Sequence, residues 1–327
     1  MSYKWPLMKE SITLKDKIKL CSFILMNDKY SKGPLVKNFE DQWAQWLGVK
    51  YAVYVNSGSS ANLLLVDAVK ELHNIKDESE VLVPACTWST NIIIIEDCCE
   101  SHGATLNGNK VGTLALGSTF SFYYGHHITS IEGGMVCTND YNLYKLLLLK
   151  RSHGLARELP EKEYKEEANK YSDIDQRFLF ITRGYNFRPT EFNAFIGIQQ
   201  LSRLDSHIQN RRDMFELYVN KISSCQSIAN EIKIPNSEGN SSYCFPVVFK
   251  NHSIYKLFLQ LLNENKIEHR PIVGSNLTRQ PFLKTVDIDQ SLFPNTNLLH
   301  ENGVYVGNNQ FVTTEDVNLL VNLLKKA

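Results

Sequence analysis

The sequence predicts an α/β protein with a mostly parallel central sheet flanked by helices and a smaller C-terminal α/β domain. Three observations carry this expectation. Short β-rich apolar runs alternate with segments whose apolar residues recur at helical spacing. A strand, a turn of small polar residues and a helix follow one another at 51–72. The 327 residues are enough for one large domain and a smaller one, each with its own core. We expect the boundary at 1–208 and 209–327.

Residues 34–48 place Leu35, Phe39, Trp43, Trp46 and Leu47 on one helical face. Tyr51–Val55 reads as a strand, and Asn56-Ser57-Gly58-Ser59-Ser60-Ala61 as a turn opening a helix through Leu72. Val81–Ala85 and Ile92–Glu96 read as two further strands, buried and parallel. Thr119–Tyr123 and Met135–Thr138 flank the loop Tyr124-Gly-His126-His127-Ile-Thr-Ser-Ile-Glu132-Gly133-Gly134. Tyr141–Lys150 is helical, 158–178 a polar loop or irregular helix, and Thr190–Ile208 one long helix. A strand at Tyr243–Phe249, a helix at Ser253–Asn265 and a final helix from Thr314 make the smaller domain.

Either the two runs Val81–Ala85 and Ile92–Glu96 are not neighbours in one parallel sheet, or something is missing between them. Only Cys86 to Asn91 separates Val81–Ala85 from Ile92–Glu96. A parallel crossover within one sheet needs about a dozen residues or more, usually with a helix.

Bulk properties exclude several function classes. Lys+Arg and Asp+Glu balance at 35 each, so nothing favours nucleic acid or an anionic membrane. The N-terminus has no apolar h-region, and no aliphatic run is long enough to span a bilayer. Seven cysteines, an odd number with no CxxC pair, fit a reducing cytoplasm better than a disulfide framework. Cys98 and Cys99 read most plainly as small residues in a packed strand end.

Four groups of residues carry chemistry. Ser57 and Gly58 open a helix whose free N–H groups and dipole suit a phosphate, although an ordinary serine cap is the plainer reading. Asp97, in Ile-Glu-Asp97-Cys-Cys-Glu100, ends a strand where α/β proteins bind ligands. It would keep a pyridinium nitrogen protonated, or simply cap a loop. Trp88 would stack on a flat ring or pack in the core. Ser121, His126 and Glu132-Gly133-Gly134 lie within fourteen residues.

The order of these groups resembles the DegT/DnrJ/EryC1/StrS family, fold-type-I pyridoxal-phosphate enzymes of nucleotide-linked 4-keto sugars. The resemblance runs from GPLVKNFEDQWAQWLGVKYAVYVNSGSSANLL through RGYNFRPTEFNAFIGIQQLSRLD (183–205) to HRPIV (269–273). Aligned on Ser121 and the double glycine, His126 stands where most of the family has its cofactor lysine. A lysine condenses with the cofactor aldehyde; an imidazole cannot. Its unperturbed pKa of about 6.5 suits proton transfer near neutrality instead.

The resemblance is strongest to the histidine-bearing 3-dehydratases of the family. It implies that pyridoxal 5'-phosphate or pyridoxamine 5'-phosphate is held without a covalent bond, and that His126 is the catalytic base. It implies Ser57, Gly58 and Ser121 at the phosphate, Trp88 on the ring face and Asp97 at the ring nitrogen. Glu100 joins the cofactor set, and Asn186 reaches the phosphate of a partner subunit in a homodimer with shared active sites. His153, Arg157, Arg188 and Arg270 are implied for substrate. The substrate would be a nucleotide-linked 4-keto-6-deoxy sugar, GDP-4-keto-6-deoxymannose being favoured, with L-glutamate as amino donor. After His126 the chain has Cys137, Cys225 and Cys244, which do not make a four-cysteine set, so we expect no iron–sulfur cluster. Adjacent His126 and His127 point to opposite sides of an extended segment, so we expect no metal either.

Family members carry roughly sixty more residues between the tryptophan and aspartate motifs, the length of two strand–helix units. This is where the crossover is too short, and loss of those strands leaves an exposed or re-paired sheet edge. Three readings stay open: a pyridoxamine-dependent 3-dehydratase, a non-catalytic remnant or binding module, and a sugar aminotransferase. The last is disfavoured because no lysine lies between Lys110 and Lys145.

Overall fold

The computed structural model of the chain describes residues 3–79, 93–272, 276–285 and 287–327. It divides into two compact units, Glu10–Asp205 and Met1–Lys9 with Ser206–Ala327.

The first unit opens with helices α1 (Leu14–Met26) and α2 (Pro34–Leu47), strand β1 (Tyr51–Val55) and helix α3 (Gly58–Leu72). Strand β2 (Ile95–Asp97), the hairpin β3 (Thr105–Leu106) and β4 (Asn109–Lys110), and strands β5 (Gly117–Ser121) and β6 (Gly134–Thr138) follow. Helices α4 (Tyr141–Arg151), α5 (Glu161–Lys170) and α6 (Glu191–Leu201) complete it, and the chain leaves at the start of α7 (Leu204–Ser223).

The main sheet has the order β1-β6-β5-β2. Strands β1, β5 and β2 run one way and β6 runs against its two neighbours. Both faces are covered, which is why β5 and β6 are buried throughout. Val53, Val55 and Val136 pack with Leu64, Leu65 and Ala68 of α3 and Leu143 and Leu147 of α4. The opposite face carries an aromatic cluster in which Phe39 and Trp43 of α2 meet Tyr54, Phe120 and Phe122. A buried ion pair ties this layer together. Arg151 reaches the Glu40 carboxylate at 2.5 Å and the Tyr54 carbonyl at 2.8 Å, and Glu40 also accepts the Tyr54 N–H at 2.9 Å.

Three sequence expectations need correction, and one helix was not expected. The strand expected at Ile92–Glu96 as a buried element is Ile95–Asp97, and among the described residues it is the sheet edge, with Ile93, Ile94 and Ile95 exposed. The strand Val81–Ala85, Ile92 and Trp88 lie outside the described residues. The single helix expected at Thr190–Ile208 is two, because the chain turns at Ser202, whose hydroxyl bonds back to the Gln199 carbonyl at 2.8 Å. Residues 161–170 form a regular helix with no buried residue, supported by Glu161–Lys165 and Glu167–Lys170 pairs and acidic residues in its first turn. Helix α1 was not foreseen; its signal is the capping box of Thr13 and Asp16, which Arg203 joins at 2.7 Å. Helix α2 starts at Gly33, which has no side chain to cap it. The Glu191 carboxylate of α6 supplies the cap, accepting the N–H groups of Gly33, Leu35 and Val36 at 2.8–2.9 Å.

The second unit contains the rest of α7, α8 (Gln226–Glu231), β7 (Ile232–Lys233), β8 (Cys244–Phe249), α9 (His252–Glu264) and β9 (His269–Pro271). It ends with α10 (Pro294–Asn302), β10 (Gly303–Gly307) and α11 (Thr314–Lys326). Its four-stranded sheet, β7-β8-β10-β9, pairs antiparallel throughout. Phe245, Val247 and Phe249 face Phe258, Leu262, Val317 and Leu320 in the core. Trp5 joins that core and donates to the Gly307 carbonyl at 3.0 Å. Among the described residues no helix is long and apolar enough to cross a membrane.

Candidate active site

The strand directions bring three carboxyl ends to one edge of the main sheet. Val55 and Ser121 are both in register with Gly134, and Asp97 pairs with Thr119 one pleat below. That edge is where open α/β sheets bind ligands.

Ser57, Gly58 and Ser121 come together there. Ser57 caps α3 by accepting the Ser60 N–H. A Cβ on Gly58 would sit 2.5 Å from Ser121 Cβ, and one on Gly134 would sit 2.2 Å from the Ser57 carbonyl oxygen. The two glycines therefore allow a backbone approach that no other residue permits, with two serine hydroxyls and a helix N-terminus around it. Such a cradle suits an anion carrying several acceptor oxygens.

The loop after β5 is folded by its own polar groups. Phe122 bonds the Gly133 carbonyl at 2.9 Å, and Ser130 and Thr129 bond the Phe122 carbonyl at 3.0 and 3.1 Å. His126 is partly buried, with Nδ1 3.2 Å from the Ser121 carbonyl oxygen. A carbonyl only accepts, so Nδ1 carries the hydrogen and the neutral ring has its basic lone pair on Nε2. Nε2 lies 3.8 Å from Glu100 Oε1, too far for a hydrogen bond but close enough for the carboxylate to stabilise an imidazolium. His127 turns the other way, is 1% exposed, and stacks on His102 within the aromatic layer. Among the described residues no group of three or more metal-ligating side chains converges.

Asp97 is exposed at the end of β2. Asn62 of α3 donates to Oδ2 at 2.9 Å, and the Cys99 N–H donates to Oδ1 at 3.1 Å. The Thr119 hydroxyl donates in turn to the side-chain amide oxygen of Asn62. On the neighbouring residue, Glu96 accepts the N–H groups of Gly112, Leu114 and Ala115 at 2.7–3.0 Å and so pins the loop before β5. Burial pushes the Cys98 and Cys99 thiols well above their usual range, with nearby carboxylates adding to the rise, so both remain protonated and inert.

The remaining sequence candidates divide. Asn186, Arg188 and His153 form a second cluster: Arg188 Nε donates to Asn186 Oδ1 at 3.0 Å, and its NH2 lies 3.5 Å from His153 Nε2. With Arg157 and Lys32, Asn186 and Arg188 line an open cleft of about 460 Å³. The backbone of this strap is held against the end of β1, since the Asn56 N–H bonds the Phe187 carbonyl at 3.1 Å. Arg270 belongs to the other unit, on β9, exposed and paired with Glu268 at 2.8 Å. Trp88 lies outside the described residues. Sequence reasoning missed Asn62 and Thr119. The available signal was a polar, weakly helix-forming Asn one turn after Gly58, on the face that carries the cap.

The chain matches the DegT/DnrJ/EryC1/StrS aminotransferase family over residues 12–92 and 89–325. It is 31% identical to the GDP-4-keto-6-deoxy-D-mannose 3-dehydratase of Escherichia coli O55:H7, covering 92% of this chain and 95% of that one. Among solved structures it is similar to the E. coli GDP-4-keto-6-deoxy-D-mannose-3-dehydratase with bound hydrated PLP, with TM-score 0.83 and 28% identity over 99% and 100% of the two chains. It is also similar to a GDP-4-keto-6-deoxymannose-3-dehydratase with a trapped PLP-glutamate geminal diamine, with TM-score 0.85 and 28% identity over 98% and 100%. The alignment to the O55:H7 protein runs over 376 positions, more than the 327 of this chain, and the two stretches of the family match meet at residues 89–92. The two matched stretches meet beside the six residues that separate Val81–Ala85 from Ile92–Glu96 in the sequence.

Proposed function

The chain belongs to the DegT/DnrJ/EryC1/StrS family, and on that premise we propose that it removes the C3 hydroxyl of a nucleotide-linked 4-keto-6-deoxy sugar, giving a 4-keto-3,6-dideoxy sugar. His126 carries this reading: an imidazole occupies the family's lysine position, with Nδ1 fixed by the Ser121 carbonyl and Nε2 facing Glu100. Pyridoxamine 5'-phosphate supplies an amine for the C4 ketone and a ring that takes up electrons. The residues fit that group. The Ser57, Gly58 and Ser121 cradle is shaped for its phosphate, and Asp97 stands ready for its ring nitrogen. His126 Nε2 takes a carbon-bound proton and then protonates the departing C3 hydroxyl, and Glu100 steadies the imidazolium between these transfers. Trp88 is proposed for the ring face.

GDP-4-keto-6-deoxymannose is the favoured substrate and L-glutamate the amino donor. Similarity to proteins named for that sugar, one with a PLP-glutamate adduct, supports both. Asn186, with His153, Arg157 and Arg188 as substrate contacts, is proposed to serve the phosphate of a second copy in a cytoplasmic homodimer. Arg270 is proposed as a further substrate contact.

The test is direct. Purified protein given pyridoxamine phosphate should convert GDP-4-keto-6-deoxymannose, and His126→Ala should abolish turnover while leaving the cofactor bound. Net formation of a 4-amino sugar would favour the aminotransferase reading. The position of β2 at the sheet edge among the described residues favours the remnant reading, and failure to bind either form of the cofactor would establish it.

A further inference from the structure

We infer that Asn62 is a positioning residue that aims Asp97 at the cofactor's ring nitrogen, with Thr119 fixing the orientation of its amide. This deepens the proposed function and rests on its cofactor assignment.

Asp97 ends a three-residue strand that is the sheet edge among the described residues, and it is exposed, so β-pairing alone holds its side chain loosely. What fixes the carboxylate is Asn62 Nδ2 at 2.9 Å on Oδ2 and the Cys99 N–H at 3.1 Å on Oδ1. An asparagine amide can flip, presenting either oxygen or nitrogen. Here the Thr119 hydroxyl donates to the amide oxygen, which turns the NH2 group toward Asp97. Thr119 is 1% exposed and sits in the middle of the sheet, in register with Asp97 itself, so it is a rigid reference. The carboxylate thus receives donors and keeps acceptor capacity for a protonated ring nitrogen.

Asn62 also lies four residues after Gly58 on α3. Four residues of helix rise about 6 Å along the axis on one face. One rigid helix therefore sets both the phosphate cradle and the aim of Asp97, and so fixes the span between the two ends of the ligand. This matters more here than with a lysine anchor, because no covalent bond locates the ring.

Asn62→Leu removes the donor and the Thr119 contact, Thr119→Val leaves the amide free to flip, and Thr119→Ser keeps the hydroxyl. Each is measured by calorimetry with pyridoxamine phosphate, by the absorbance of the bound cofactor against pH, and by melting temperature. Asn62→Leu should weaken binding by about tenfold or more, because a carboxylate no longer aimed at the ring nitrogen forfeits a charge-assisted hydrogen bond to it. The ring-nitrogen titration should move down by about one unit, the same tenfold effect. Thr119→Val should show both effects in smaller measure and Thr119→Ser should restore them. A merely structural role would lower the melting temperature without moving the titration. Unchanged affinity and titration in folded Asn62→Leu and Thr119→Val, with wild type binding normally, would overturn this inference alone. Absence of wild-type binding would overturn the cofactor reading and this inference with it.

Discussion

Replacing Gly134 by alanine should damage the site and the fold together, and the structure says by how much. The new Cβ would lie 2.2 Å from the Ser57 carbonyl oxygen, 2.5 Å from its carbon and 2.8 Å from the Gly58 nitrogen, where ordinary contact begins at 3.4 Å. Relief therefore needs a movement of about 1.2 Å. The atoms that must move are backbone, and neither side can give easily. Gly134 is on β6, hydrogen-bonded between β1 and β5, and Ser57 and Gly58 start α3. Overpacking of this kind costs about 1–3 kcal/mol, which lowers the melting temperature of a unit this size by several degrees. A displacement of about 1 Å in a positioning element lowers activity by about a hundredfold. Differential scanning calorimetry and titration with pyridoxamine phosphate measure the two effects. Gly108→Ala is the control: its Cβ would meet nothing within 4 Å, although its φ of +80° adds backbone strain. It should lower the melting temperature modestly and leave cofactor affinity unchanged. A Gly134→Ala protein with wild-type melting and affinity would refute the close-approach reasoning.

Three other perturbations have defined outcomes. Glu40→Ala leaves the Arg151 guanidinium, 1% exposed, without its carboxylate, and should cost about 3–5 kcal/mol in chemical denaturation; a loss under 1 kcal/mol would contradict the buried-pair account. Ile131, a β-branched residue at φ +74° and 43% exposed, gives up little burial when changed to glycine. Ile131→Gly should raise stability by about 1 kcal/mol, and a lower melting temperature would sink that idea. Burial raises the Asp16 carboxyl, but hydrogen bonds from Arg203 and Thr13 outweigh it and hold the group below its usual range. Its folded pKa is thus below the unfolded value of about 3.9, so its contribution is complete above that value and fades as pH falls through the folded one. Wild type should therefore lose more stability than Asp16→Asn on passing from pH 6 to pH 3, and equal losses would show that Asp16 is not responsible.

Much of the fold was legible because periodicity and caps are local. The apolar spacing of 34–48, the small polar turn at 56–61 and the final helix from Thr314 all correspond to elements within a residue or two. The break at Ser202 was not legible, because a serine hydroxyl returning to a carbonyl leaves the apolar pattern unchanged. Helix α2 hides its cap for a related reason: the capping carboxylate, Glu191, is supplied by α6, far along the chain. Of the candidate site, Ser57, Gly58, Ser121 and His126 could be named from the family resemblance, and the structure brings them to one edge of the sheet. Asn62 and Thr119 could not, since each is an unremarkable polar residue until β2 and β5 are paired and α3 is laid across them.

By itself, the sequence determined which chemistry was available: a histidine in place of a lysine, a glycine-lined turn and an aspartate after a strand, all properties of residue type and order. It also showed that six residues between Val81–Ala85 and Ile92–Glu96 are too few for an ordinary parallel crossover, because chain length sets what a connection can span. Tertiary structure decided which nitrogen of His126 carries the hydrogen, since that depends on a carbonyl five residues earlier in the turned chain. It decided that His127 belongs to the aromatic layer, and that Ile93, Ile94 and Ile95 are exposed at what is, among the described residues, the sheet edge. The division has one physical cause. Side-chain chemistry is carried by each residue alone, whereas burial, hydrogen-bond partners and the orientation of a ring or an amide exist only once distant segments are packed together.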